Sequence, residues 1–182
     1  MNSINYRKDY RTTEQFEQDI KYRTAKEKFL VELFRKECEY LGYTCSIINN
    51  GIDNTGKLVK KSSCQPDYDI TIDTGVKKYN GLYEVKNSPV ATKWTFKVYH
   101  LQQYVKQGAN ILIFWNTGKI DKCPENINRA NTRWGVIECV SIKGMLEKYT
   151  PYKEYMFGNK ECIKVPAADF HLWINVRKLH NA

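Results

Sequence analysis

Asp67, Glu84 seventeen residues later and Lys86 two residues beyond that form a grouping whose chemistry can be written down from residue type and spacing. Two carboxylates on neighbouring strands can hold a divalent cation, and Mg2+ takes oxygen ligands that include one or two carboxylates. A cation so held polarises a phosphate and lowers the pKa of a bound water, which is what hydrolysis of a phosphodiester requires. Lys86 lies two residues from Glu84 on the same strand face, where its ammonium can reach the attacking water or the scissile phosphate. The backbone carbonyl of Val85 is a further oxygen donor of the right kind. The same fragments have an ordinary explanation as well. Pro-Asp is a common way into a strand, and Glu-Val-Lys is an unremarkable half-exposed strand triplet.

Such a site needs strands to carry it. Pro66 opens one, in which Tyr68, Ile70 and Ile72 alternate with Asp67, Asp69, Thr71 and Asp73, so the three aspartates share a face. Residues Thr74 to Asn80 read as a turn, and Leu82 to Lys86 as the next strand, with Leu82, Glu84 and Lys86 on one face and Tyr83 and Val85 on the other. Upstream, a helical pattern starts at Thr13, carries the apolar series Ala25, Phe29, Leu30, Leu33, Phe34, Cys38 and Leu41, and stops at Gly42, with a break expected near Tyr22 to Thr24. Tyr43 to Ile48 suits a strand, Asn49-Asn50-Gly51 a turn, and Asp53 to Lys61 a polar loop.

Downstream, Thr95 to Gln107 reads as a helix with Phe96, Tyr99 and Tyr104 among its packing residues and Gly108 as its stop; Ala109 to Trp115 follows as a buried strand. Asn116 to Arg133 is loop-rich, Trp134 to Ile142 reads as a strand and Lys143 to Tyr149 as a short helix. In the tail, Ile163, Val165, Phe170, Leu172 and Trp173 are expected to pack back on the domain. This alternation predicts an α/β fold with a mixed central β-sheet flanked by helices.

At 182 residues the chain suits one catalytic domain with appendages: a basic N-terminal arm and helix over residues 1–23, a core over 24–142 and a C-terminal extension over 143–182 packed on that core. The arm's Arg, Lys and Tyr residues suit either a grip on phosphates or a frayed tail. The formal charge of +9 favours an acidic polymer as partner, although a merely soluble basic protein has the same composition. Apolar runs are too short for a membrane span, and Met1 to Arg11 lacks a hydrophobic signal segment, so a cytoplasmic location is expected. Cys38, Cys45, Cys64, Cys123, Cys139 and Cys162 show no CxxC spacing, which argues against structural zinc or a disulfide framework.

Pro66-Asp67 and Glu84-Val85-Lys86, set in this order of elements from about Thr24 to Trp115, resemble the PD-(D/E)XK nuclease superfamily. The resemblance implies a restriction-endonuclease-like core in which Asp67 and Glu84 bind Mg2+ or Mn2+ and Lys86 assists hydrolysis, with DNA as substrate. It further implies a glutamate on the preceding helix aimed at the metal, for which Glu27 is the first candidate and Glu32 the second; a solvent-facing helix charge explains either equally. Gln103 and Lys93 are candidate supporting residues on the same grounds, and a solvated polar face explains them too. His100 suits an acid for the leaving oxygen or a structural histidine. Lys57, Lys60, Lys61, Arg129, Arg133 and Lys143 suit phosphate contacts or solubility, and Trp94 and Trp115 the core or base stacking. The expected activity is that of a Mg2+-dependent DNA endonuclease. The alternatives are a junction-resolving or recombination nuclease acting on branched DNA, which would work as a homodimer, and a non-catalytic DNA-binding protein that kept the fold.

Overall fold

A computed structural model of the chain describes residues 12–50, 64–88, 93–116, 127–128, 132–154 and 159–166. The N-terminal arm up to residue 11, Lys57, Lys60, Lys61, Pro89, Cys123, Arg129 and the tail residues Phe170, Leu172 and Trp173 lie outside them.

Helix α1 (Thr13–Tyr40) starts on a capping box, in which the Gln15 amide donates to Thr12 Oγ1 and the Thr12 amide to Gln15 Oε1. It runs 28 residues without the break expected near Tyr22 to Thr24, and so crosses the expected boundary between arm and core. No helix breaker occurs there, and the capped first turn propagates. At its end Gly42 adopts φ +79°, a left-handed turn that lets the Tyr43 amide donate to the Cys38 carbonyl. Leu30, Val31, Phe34 and Cys38 form its buried stripe, whereas Ala25 and Phe29, expected on that stripe, are exposed.

The central sheet has five strands in the order β1 (Thr44–Asn49), β2 (Tyr68–Asp73), β3 (Lys78–Ser88), β5 (Asn110–Asn116), β6 (Thr132–Ile137). It is mixed: β3 and β5 run parallel and the other neighbours antiparallel. One face, with Ile70, Tyr83, Val85, Leu112 and Phe114, packs on the α1 stripe; Phe34 meets Phe114 and Trp134 edge-on at 6.4 and 6.1 Å. The other face, with Ile111 and Ile113, packs on α2 (Val98–Gln107) and α3 (Cys139–Lys148) through Leu101, Tyr104, Ile142 and Met145. Burial on both faces explains the near-continuous apolar run of β5. The fold is therefore α/β with a mixed central sheet flanked by helices, as the alternation of elements predicts.

A second sheet departs from expectation. Residues 95–97, expected to start the helix, instead end strand β4 (Lys93–Lys97), which pairs with β8 (Lys160–Pro166), and β8 pairs with β7 (Tyr152–Glu154). Trp94 and Phe96 alternate inward to join Ile163 and Val165 in the second core, so burial along the strand overrides the helical pattern, which begins only at Val98. β8 comes from the expected C-terminal extension and β4 from the expected core, so the second sheet spans both. Two further boundaries differ. β6 ends at Ile137 and the helix starts at Cys139 because Ile142 and Met145, three apart, both turn into the core. β3 starts at Lys78, leaving a shorter turn in which Asp73 Oδ1 accepts from the Gly75 amide and Gly75 takes φ +78°.

Candidate active site

The site forms where β3 changes partners. Up to Tyr83 it pairs with β2, and from Tyr83 onward with β5 alone among the central strands. Asp67, expected inside a strand opened at Pro66, lies in the bend just before β2, which starts two residues after Pro66. Past the Tyr68–Tyr83 pair β2 offers no backbone acceptor, and the Val85 amide donates instead to Asp67 Oδ2 at 2.8 Å. In an extended strand a residue's N–H and C=O leave by the same edge, so the Val85 carbonyl faces this vacated edge as well. The Asn50 amide holds the Asp67 carbonyl at 2.8 Å and continues the β1–β2 ladder around the bend.

Asp67, Glu84, Val85 and Lys86 line one side of an open cleft of about 220 Å3; Ile20, Arg23, Thr24 and Glu27 of α1 line the other. Those four helix residues follow the i, i+3, i+4, i+7 spacing of one helix face. Asp67 and Glu84 are 8 and 7% exposed. Lys86 Nζ donates to Glu84 Oε1 and sits 6.0 Å from the centre of the Tyr104 ring. The Tyr68 hydroxyl donates to Glu27 Oε1 at 3.2 Å, which turns that carboxylate toward the sheet.

Burial, then the nearby Glu84 and Glu27 carboxylates, push Asp67 up to about 8, against the partial relief of Lys86 and the Val85 amide. Lys86 behaves oppositely: burial alone would lower it, but Glu84, Tyr104 and Asp67 hold the ammonium above its usual range. Burial also raises the Tyr104 phenol, which lies against Glu84 and Lys86. His100 is held down at about 4 by burial and by Lys97 and Lys86, so it is neutral at pH 7 and has no spare proton for a leaving group.

The structure thus brings Asp67, Glu84, Lys86, Val85 and Glu27 together. Glu32 is engaged elsewhere, accepting from Arg35 Nε at 2.8 Å. Gln103 lines a separate groove with Asn50, Gln65, Pro66, Leu82 and Gln107, on the other side of the Pro66 bend. Lys93 and His100 line a third groove of about 570 Å3, which shares Arg23 and Lys86 with the cleft. Trp94 is a core residue stacked on Phe96. Ile20, Arg23 and Thr24 are the cleft residues that sequence reading did not single out for the site, and Tyr104 joins Lys86 in the adjoining groove. A usable signal existed for Arg23, which stands one turn before Glu27, but the expected helix break hid it.

Among the described residues no group of three or more His, Cys, Asp and Glu side chains is arranged to hold a metal ion. The oxygens that could meet a cation in the cleft are two carboxylates and a strand carbonyl. Hard oxygens in that number suit Mg2+, which keeps several of its waters and needs few protein ligands. Burial and then carboxylate repulsion raise Asp67, and a bound cation would relieve the repulsion. No helix among the described residues is long and apolar enough to cross a membrane. No family model, curated protein or solved structure matches the chain.

Proposed function

We propose that this chain is a Mg2+-dependent endonuclease that hydrolyses phosphodiester bonds in DNA on a restriction-endonuclease-like core of the PD-(D/E)XK type. The observation that carries the reading is the pair of buried carboxylates, Asp67 and Glu84, which open into one cleft beside Lys86 where β2 leaves β3. Burying ionisable groups costs several kcal/mol each unless they are paired or bind a cation. The lining of one cleft by Asp67, Glu84 and Glu27 beside Lys86 and Arg23 supports a ligand that is itself cationic or that brings a cation with it.

Asp67, Glu84 and the Val85 carbonyl would hold the Mg2+, which when bound supplies Lewis-acid activation of the phosphate. Lys86 stays protonated at neutral pH, which makes it a stabiliser of charge growing on the scissile phosphate rather than a general base. Glu27, oriented by Tyr68, presents an acceptor for the attacking water. The +9 charge brings the polyanion to the cleft. The test is incubation of the purified protein with plasmid and with branched DNA, in Mg2+ and in chelator. Cleavage confined to Mg2+ or Mn2+ is the expected result, with Ca2+ supporting binding but little cutting; intact DNA under every metal condition, or full activity in chelator, rejects the reading.

A further inference from the structure

The second sheet carries a charged face that the cleft chemistry does not use. Thr95 pairs directly with Lys164 and Lys97 with Cys162. The period-two alternation of strands therefore places Lys93, Thr95 and Lys97 of β4 on the same face as Lys160 and Lys164 of β8, with Tyr152 and Glu154 of β7 beside them. The opposite face is the apolar one, buried through Trp94, Phe96, Ile163 and Val165. Lys93, Lys160 and Lys164 are exposed, and Glu154, the acid on this face, accepts from the Tyr152 hydroxyl at 3.0 Å.

Lysines on an edge strand commonly guard it against pairing with another chain, and that would account for Lys93 and Lys97 on β4. It does not account for Lys160 and Lys164, because β8 is the central strand of its sheet. Lys160 lies directly opposite Glu154 and Lys164 stands over the Tyr152 ring, so Lys93, Lys97 and Lys164 leave this face with an excess of positive charge that an anion would complement. Lys97 is half-buried, and burial together with the like charges of Lys160 and Lys86 holds its ammonium below the usual range. Lys86 and Lys97 line the same groove, and Lys86 is also a residue of the cleft. The groove of about 570 Å3 joins the two regions, lined by Arg23 and Lys86 as well as by Lys93, Thr95 and Lys97.

We propose that this face seats the sugar–phosphate backbone of the DNA flanking the scissile bond, one strand leaving the cleft past Lys97 and Lys93 and crossing Lys160 and Lys164. From Lys93 to Lys97 the strand advances roughly 13 Å at about 3.3 Å per residue. One DNA strand rises ~3.4 Å per phosphate, so this length spans about four phosphates. Contacts of this kind fix the register of the polymer without reading its sequence.

The inference deepens the nuclease reading and rests on it for the choice of DNA as occupant. The test is binding of a fluorescent DNA duplex to the full chain in chelator, over a series of salt concentrations. Wild type is compared with the double variant Lys160→Gln and Lys164→Gln, and with the control Lys77→Gln and Lys78→Gln at the β2–β3 turn; circular dichroism verifies that each is folded. Removing two phosphate contacts is expected to weaken binding and to flatten the plot of log affinity against log salt by roughly 1.8, about 0.9 per contact, with the control unchanged. A slope equal to wild type, or an equal loss in both double variants, overturns the docking face. Loss of binding to vesicles rich in anionic lipid, with DNA affinity intact, overturns it in favour of a membrane surface. A flattened slope in a protein whose wild type leaves DNA uncut in Mg2+ keeps the face and removes the nuclease reading instead.

Discussion

The cleft at the fork of β2 and β3 and the lysine face of the second sheet both gather charge, and they do so in opposite ways. In the cleft the carboxylates are buried, few, and each held by a donor on β3: the Val85 backbone amide holds Asp67, and the Lys86 ammonium holds Glu84. On the face the ammonium groups are mostly exposed and lie along two strands. Buried charge is expensive to place and sensitive to an atom's displacement, which suits bond making and breaking. Exposed charge is screened by salt and contributes by number rather than by geometry, which suits holding a long polyanion. Substitutions in the cleft should therefore act on the rate, and substitutions on the face on affinity.

The largest effect should come from Asp67→Ala or Glu84→Ala. Each removes a proposed metal ligand, so cutting should fall to background in a gel assay while duplex binding in chelator survives. Either variant cutting at the parent's rate would dissolve the distinction between the two regions. Next comes Lys86→Ala, which removes a charge without removing a ligand; turnover should fall by ~10² with metal binding retained, the scale for losing one group that stabilises the transition state.

The pH dependence sharpens the same contrast. Asp67 titrates near 8 in the fold instead of near 3.8, so below pH 8 a metal must displace its proton. The apparent Mg2+ affinity should fall about tenfold per pH unit between 8 and 6, and calorimetric titration would show whether it does. The linkage sign is that of a raised pKa. The protonated form stabilises the fold below the unfolded value, and that contribution is lost as pH rises through about 8. In chelator, wild type should thus melt at a higher temperature at pH 6 than at pH 8. His100 acts oppositely, since its depressed pKa withdraws stability as pH falls from 6.5 toward 4. Asp67→Asn keeps His100 and should abolish only the Asp67 component. The smallest effect is expected from Lys93→Ala, a few-fold weaker binding with kcat unchanged; a drop in kcat at constant affinity would move that lysine from the face to the chemistry.

What the sequence disclosed follows from how local the signals are. Glu84 and Lys86 share a face because strand period is two, and this needs no tertiary information. Glu27 is a candidate through the resemblance alone, and its place opposite Asp67 follows from one helix packing on one sheet. Gln103 shows where that reasoning ends. Leu101 and Tyr104 fix the inward face of α2, and Gln103, about 100° around from Tyr104, turns toward Asn50 and Gln65 instead of Lys86. The second sheet was illegible because neither β4 nor β8 carries a strong pattern alone. Residues 95–97 even resemble a helix start until Ile163 and Val165 are laid beside Trp94 and Phe96.

The pairing of Thr95 with Lys164 joins residues about seventy positions apart. On a ribosome adding roughly 5–20 residues per second, that separation is several seconds of synthesis. Through that interval α1 and the hairpin of β2 and β3 are already available to one another, while Trp94 and Phe96 await the strand that covers them. The acidic cleft can therefore take shape before the lysine face exists, and the nascent protein passes through a period in which it holds the residues of the proposed active site without the face proposed to seat DNA.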